Sequence, residues 1–140
     1  MSFNQSEREL LARLADVLIP AGDGHPSASA SDVAGAGLDQ VLATCPEVAT
    51  GLREVLRKAE GTTAAEAVAY LRANDGAAFG ILAEFAAGAY FMNPQVREAI
   101  GYGGQTARAI DPVPDYLDLL ESVVRRGPIY RPTPGSGQKE

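Results

Sequence analysis

GAAFGILAEFAAGAYFM, residues 76–92, leaves the chain little architectural freedom. Phe79, Leu82, Phe85, Ala86, Ala89 and Tyr90 recur there at helical spacing and mark the most apolar helix of the sequence. An apolar helix of this kind has to be covered by other elements, which places it at the centre of the fold. Its small residues, Ala83, Ala86, Ala87, Gly88 and Ala89, leave a smooth face that another helix or subunit can approach closely.

The remaining segments read as helices able to surround it. Ser6-Glu7-Arg8-Glu9 has the form of a capping box, followed by Leu10, Leu11, Leu14, Val17 and Leu18 on one helical face, and Pro20 stops that helix. Ala21–Asp32 collects turn-forming residues and predicts a long connection. A second helix from Val33 carries Leu38, Val41 and Leu42 and ends before Pro46, which suits the first turn of a third. There Val48, Leu52, Val55, Leu56 and Ala59 share a face, and Gly61 ends the run. Thr63 and Glu66 open a fourth helix with Val68 and Leu71 inward, fraying at Asn74-Asp75-Gly76. After Asn93-Pro94 a short helix carries Val96 and Ile100, and Asp115 caps a last one with Leu117, Leu120, Val123 and Val124 inward. Neither hairpin signals nor internal repeats occur. The expected fold is all-α, a compact bundle of about six to seven helices over residues 1–126, with an extended Pro/Gly-rich tail over 127–140.

Composition supports a packed domain. At 140 residues the chain is long enough to bury about 68–70% of its unfolded surface, with 46% hydrophobic and 21% charged residues. There is no tryptophan, so packing rests on aliphatic groups and alanine. A net charge of −6 argues against nucleic acid and anionic membranes, which select clustered Lys and Arg. Arg57-Lys58 and Arg125-Arg126 instead sit near helix ends, where they complement the dipole. Cys45 is the only cysteine, which excludes an internal disulfide; beside Pro46 it reads as a buried or spare thiol. No window is apolar enough for direct membrane insertion, and Met1–Pro20 reads as an amphipathic helix rather than a secretory peptide.

The inventory of reactive groups is sparse. His25 is the only histidine and lies in a Gly/Pro/Ser loop without a nucleophile elbow; Asp23, His25 and Asp32 lack metal-motif spacing. The acid pairs Asp111/Asp115 and Asp118/Glu121 read as caps and a solvated helix face rather than hydrolytic carboxylates. Gly35-Ala36-Gly37 and Gly101-Tyr102-Gly103-Gly104 match neither the dinucleotide fingerprint nor a Walker loop. No catalytic, cofactor-binding or metal residue is assigned.

Four phrases, in order, cover most of the chain: LARLADVLIPAGDGHPSASASDVAGAGLDQVL, GAAFGILAEFAAGAYFMNPQVREAIGYGG, DPVPDYLDLL and RGPIYRP. On these the sequence resembles the gluconate 2-dehydrogenase subunit 3 family. The resemblance implies a non-catalytic small subunit that binds and stabilises a large FAD-dependent subunit of the glucose–methanol–choline (GMC) type. That partner would carry FAD and oxidise a sugar or other alcohol; an electron-transfer partner stays open. The twin-arginine signal with which many relatives begin is not present. A cytoplasmic complex is therefore the expectation, with the periplasm left open if a signal was removed or the partner carries one.

For such a subunit the Gly101–Gly104 loop, with Gly103 at its middle, and the proline-bearing stretches are recognition surfaces or simple turns; both readings stand. Phe91, Met92, Tyr102, Tyr116, Tyr130 and Arg131 are the candidate anchors, because aromatics, Met and Arg are enriched in interface cores. Two alternatives remain from other classes: a stand-alone helical adaptor or regulator, and a small hydrolase or lyase using His25.

Overall fold

A computed structural model describes residues 2–105, 107 and 117–129. Among them seven α-helices follow one another: α1 Gln5–Leu18, α2 Leu38–Thr44, α3 Val48–Ala59, α4 Ala64–Asn74, α5 Gly76–Met92, α6 Pro94–Ala99 and α7 Leu117–Arg126. A π-helical turn, Val33–Gly37, leads into α2. The described residues contain no strand, only an isolated bridge between Gly22 and His25, and the protein is all-α. The chain divides into two compact units, Met1–Gly104 and Gln105–Glu140.

In the first unit α5 is the hub, packed by α1, α2, α3, α4, α6 and the π-helical turn. Leu82, Phe85, Ala86, Ala89 and Tyr90 are buried, as their spacing predicts, while Phe79 is half-buried. Leu11 and Leu14 of α1, Leu52, Val55 and Leu56 of α3, and Val68 and Leu71 of α4 meet them. Each large side chain withdrawn from water contributes about 1.5–3 kcal/mol. The small residues are used for close approach: a Cβ added to Gly37 would stand 3.1 Å from Ala89 Cβ and 3.3 Å from the Asp32 carbonyl oxygen.

Helix ends differ in detail from the sequence reading. The capping box of α1 is formed by Asn4 and Glu7, not by Ser6 and Glu9: Asn4 Oδ1 accepts the Glu7 N–H at 2.9 Å and the Glu7 carboxylate accepts the Asn4 N–H at 2.7 Å. Phe3 is buried under the Arg53 guanidinium, 4.7 Å from its ring, which fixes the entry of the chain two residues earlier. Pro46 lies in the turn before α3 rather than in its first turn. Thr63 and Glu66 do form the capping box of α4. Asn74-Asp75-Gly76 does not fray: Asp75 ends α4 and caps α5, its carboxylate accepting the Ala78 N–H at 3.1 Å.

The connection over residues 21–32 is part of the packing. Ala28 is fully buried, and the Asp16 carboxylate accepts the Ser29 N–H. Tyr90 Oη donates to the Pro26 carbonyl at 2.7 Å and Asn93 Nδ2 to that of Ser31 at 2.9 Å, tying the segment to the C-terminal end of α5. At its exit Asp32 adopts a left-handed conformation, φ 54°, and its carboxylate accepts the Ala36 N–H at 2.9 Å. Gly35 is required beside it, since a Cβ there would lie 2.0 Å from Asp32 Oδ1. Arg8 closes this corner: its guanidinium donates to the carbonyls of Ala34 and Gly35, each at 3.0 Å, and to Phe3, and pairs with Asp39.

Three sets of residues expected inward are exposed. Val17 lies at the edge of the α1 face, and Ile100 follows the last turn of α6, beyond the reach of the core that holds Val96. In the second unit α7 forms, but Leu120, Val123 and Val124 are exposed, as is Leu119. A ten-residue helix has too little surface to make a core from its own face.

Between α3 and the α4–α5 corner lies a charge cluster. Lys58 Nζ pairs with Asp75 at 2.5 Å and with Glu54 at 3.2 Å, and Arg57 pairs with Glu54 at 2.6 Å. Hydrogen bonds from Arg57 and then Lys58 hold the Glu54 carboxyl at about 2; that from Lys58, then the Ala78 N–H, lowers Asp75, and Thr63 lowers Glu66. Lys58 is raised, chiefly by Asp75.

Two expectations follow for stability measured by urea unfolding. Carboxyls held low in the folded state contribute fully above the ordinary range and lose that contribution as they protonate. The midpoint is therefore expected to fall as pH drops from about 4.5 toward about 2, and Glu54→Gln to flatten that slope. Lys58, raised, keeps its contribution at neutral pH and loses it only above its ordinary 10.5. Asp32→Ala is expected to cost about 1–2 kcal/mol, because it removes a cap and leaves a β-carbon in the left-handed region, whereas Asp32→Asn retains both functions and costs a few tenths.

Candidate partner-binding surface

Met92 is the last residue of α5 and is half-buried. It closes one end of a groove of about 490 Å³ between α5 and the corner where α2 passes into α3, lined by Val41, Cys45, Val48, Ile81 and Phe85. Two glycines shape it. At Gly51 on α3 an added Cβ would meet Ile81 Cδ1 at 2.7 Å, so the missing side chain is what lets Ile81 lie across the interface. At Gly88 on α5 an added Cβ would meet nothing within 4 Å, so this side of the helix opens directly on the groove. Glu47 and Glu84 stand on its two walls, and the Cys45 thiol is exposed on it, the spare one of the two expected states.

Phe91 follows the buried Tyr90 and points outward, 52% exposed, with its ring edge-on to that of Tyr90 at a centroid distance of 5.4 Å. Tyr102, also 52% exposed, and Gly103 belong to a different place, a hollow of about 450 Å³ beyond α6 that Pro94 and Arg97 complete. Its backbone is set by a Schellman ending: the Gly101 N–H donates to the Glu98 carbonyl at 3.0 Å and the Tyr102 N–H to that of Arg97 at 2.8 Å. Gly101 is left-handed there, φ 71°, and Gly104 again, φ 83°, so turn geometry demands both glycines whether or not the loop meets a partner. Of the anchors named from sequence, Tyr102 and Gly103 share one hollow, Met92 lines the groove, and Phe91 projects from the end of α5. Tyr116, Tyr130 and Arg131 lie outside the described residues, as do Asp111 and Asp115.

The groove walls contributed by Val41, Cys45 and Ile81 were not singled out by sequence reasoning. A signal was present: Gly51 and Gly88 sit inside helices, where a glycine costs about 0.5–1 kcal/mol relative to alanine, and Gly80 of α5 shares that position without lining the groove.

His25 is exposed in its loop, where its backbone pairs with Gly22. Asp32 is engaged as a cap, and no group of three or more potential metal ligands occurs among the described residues. Glu121 pairs with Arg125 on an exposed face of α7. No helix among the described residues is long and apolar enough to cross a membrane. Comparisons with protein-family models, curated proteins and solved structures yield no match to this chain.

Two glycines of the first unit should respond in opposite ways. Gly88→Ala is expected to stabilise the isolated chain by about 0.5–1 kcal/mol, because the site is open and helical. Gly37→Val, forced against Ala89 and the Asp32 carbonyl, is expected to cost about 1–3 kcal/mol. Chemical denaturation of the two variants beside the parent chain reads both signs.

Proposed function

We propose that this chain is a non-catalytic small subunit of the gluconate 2-dehydrogenase subunit 3 type. It binds and stabilises a large FAD-dependent GMC-type subunit that oxidises a sugar or other alcohol. The family part of this reading rests on the four sequence phrases. The observation in the molecule that supports it is the uncovered side of α5, where Gly88, Met92 and the projecting Phe91 leave an apolar helix open beside a groove. Such a surface is what an interface core uses: aliphatic walls, a methionine and an aromatic anchor, with charge kept to the rim.

In this reading FAD and the chemistry belong to the large subunit, and the present chain lends it shape. No nucleic acid takes part, and any electron-transfer partner docks on the assembled complex. The stand-alone adaptor is the second reading, favoured by one feature: α7 presents Leu120, Val123 and Val124 outward, the form of a helix made to enter another protein's groove.

Co-expression with a large GMC-type flavoprotein from the same genome separates the two. A yellow complex of fixed stoichiometry with a flavin absorption band is the expected result; a colourless chain that elutes alone supports the adaptor and sinks the subunit reading. Within an active complex, His25→Ala is expected to leave turnover unchanged, and a loss of activity with the complex intact would restore the hydrolase or lyase alternative.

A further inference from the structure

We infer that the groove between α5 and the α2–α3 corner receives an amphipathic helix of the large subunit that carries lysine or arginine beside its apolar face. This rests on the accessory-subunit reading above. The groove runs along α5 from Ile81 to Met92, eleven rises of 1.5 Å, or about 16 Å, the length of roughly three helical turns. The walls are α5 on one side and α2, α3 and the turn between them on the other, with no strand among them, so an extended segment entering here finds no sheet edge to pair with. A helix satisfies its own backbone and brings only side chains to the apolar walls.

Charge chooses among helices. Glu7, Asp39, Glu54 and Asp75 are each matched with an arginine or lysine. Glu47 and Glu84 make no ion pair or side-chain hydrogen bond among the described residues, a state they share with Asp23, Glu60, Glu98 and Asp118, but these two stand on opposite walls of the apolar groove. Two unmatched carboxylates bordering an apolar trough favour a cation on the incoming helix, whose aliphatic stem lies along the wall while its charge reaches the rim. The same pair disfavours a second copy of this chain, since a two-fold contact through the groove would set four carboxylates against one another. Gly88 agrees with a guest. In the isolated chain nothing fills the space over it, and alanine there would be better for the helix.

Cys45, the only cysteine and exposed on the groove, reports occupancy directly. The rate of its modification by a maleimide is compared between the full chain alone and the complex co-purified with its flavoprotein. Fast labelling alone and labelling slowed at least about tenfold in the complex is expected. Gly88→Leu, whose Cβ meets nothing within 4 Å in the free chain, is expected to keep its melting transition and weaken the complex at least about tenfold. Glu47→Lys with Glu84→Lys is expected to weaken it most at low salt.

If no flavoprotein accompanies the parent chain, the subunit reading fails and this inference falls with it. If one accompanies it yet Cys45 labels at the free rate and both variants still bind, the groove assignment alone is overturned. Slow labelling of the chain by itself as a monomer, or only in a concentration-dependent dimer, assigns the groove to the chain itself or to a second copy, and either result overturns the proposal.

Discussion

The first unit is organised by a single demand: α5 has almost no polar side to offer water, so the other elements are packed around it and leave open only the side that bears Gly88 and Phe91. Five helices and the π-helical turn lie against it. Even the segment over residues 21–32, whose composition is that of a surface turn, is recruited, with Ala28 buried beneath it and Tyr90 and Asn93 reaching back to hold its carbonyls. A core so rich in alanine gains less from each side chain than a leucine core does. It recovers part of that by bringing backbones together, and Gly37 against Ala89 is where this is tightest.

Close approach of backbones brings polar groups inward, and their satisfaction is the second condition of the fold. Among the described residues no buried side-chain nitrogen or oxygen lacks a partner. The solution is economical in residues. Asp75 serves two helices and a lysine at once, and Asp32 ends one turn while starting another. Short acidic side chains can do this because they accept from backbone N–H groups close to their own position, and Asp tolerates the left-handed region that most residues avoid.

Elements whose faces repeat at helical spacing were legible before any coordinates: α1, α3, α4, α5 and α6 lie where the apolar pattern puts them, and the Thr63–Glu66 box is formed as written. What failed were features decided by neighbours distant in sequence. Ser6 reads as well as Asn4 for a cap until Phe3 is known to be buried under Arg53. Val17, Ile100 and Leu120, Val123 and Val124 of α7 obey the local pattern and are still exposed, because a pattern states which side is apolar and not whether anything covers it. The groove was hidden for a related reason. Its walls come from three helices, and only Gly51 and Gly88 hinted at it; the anchors Phe91 and Met92 were visible as residue types, while their division between open solvent and groove depends on where α5 ends.

The Arg8 side chain has a consequence for what that position tolerates. A guanidinium is a flat plate with donors on three edges, and here those edges serve carbonyls on two stretches of chain about thirty positions apart together with a carboxylate on α2. An ammonium of equal charge gathers its donors around one nitrogen and cannot span that arrangement, so lysine would leave oxygens of the bent turn dry. The position is thus chosen for its outline more than for its sign, a molecular keystone cut to a particular gap.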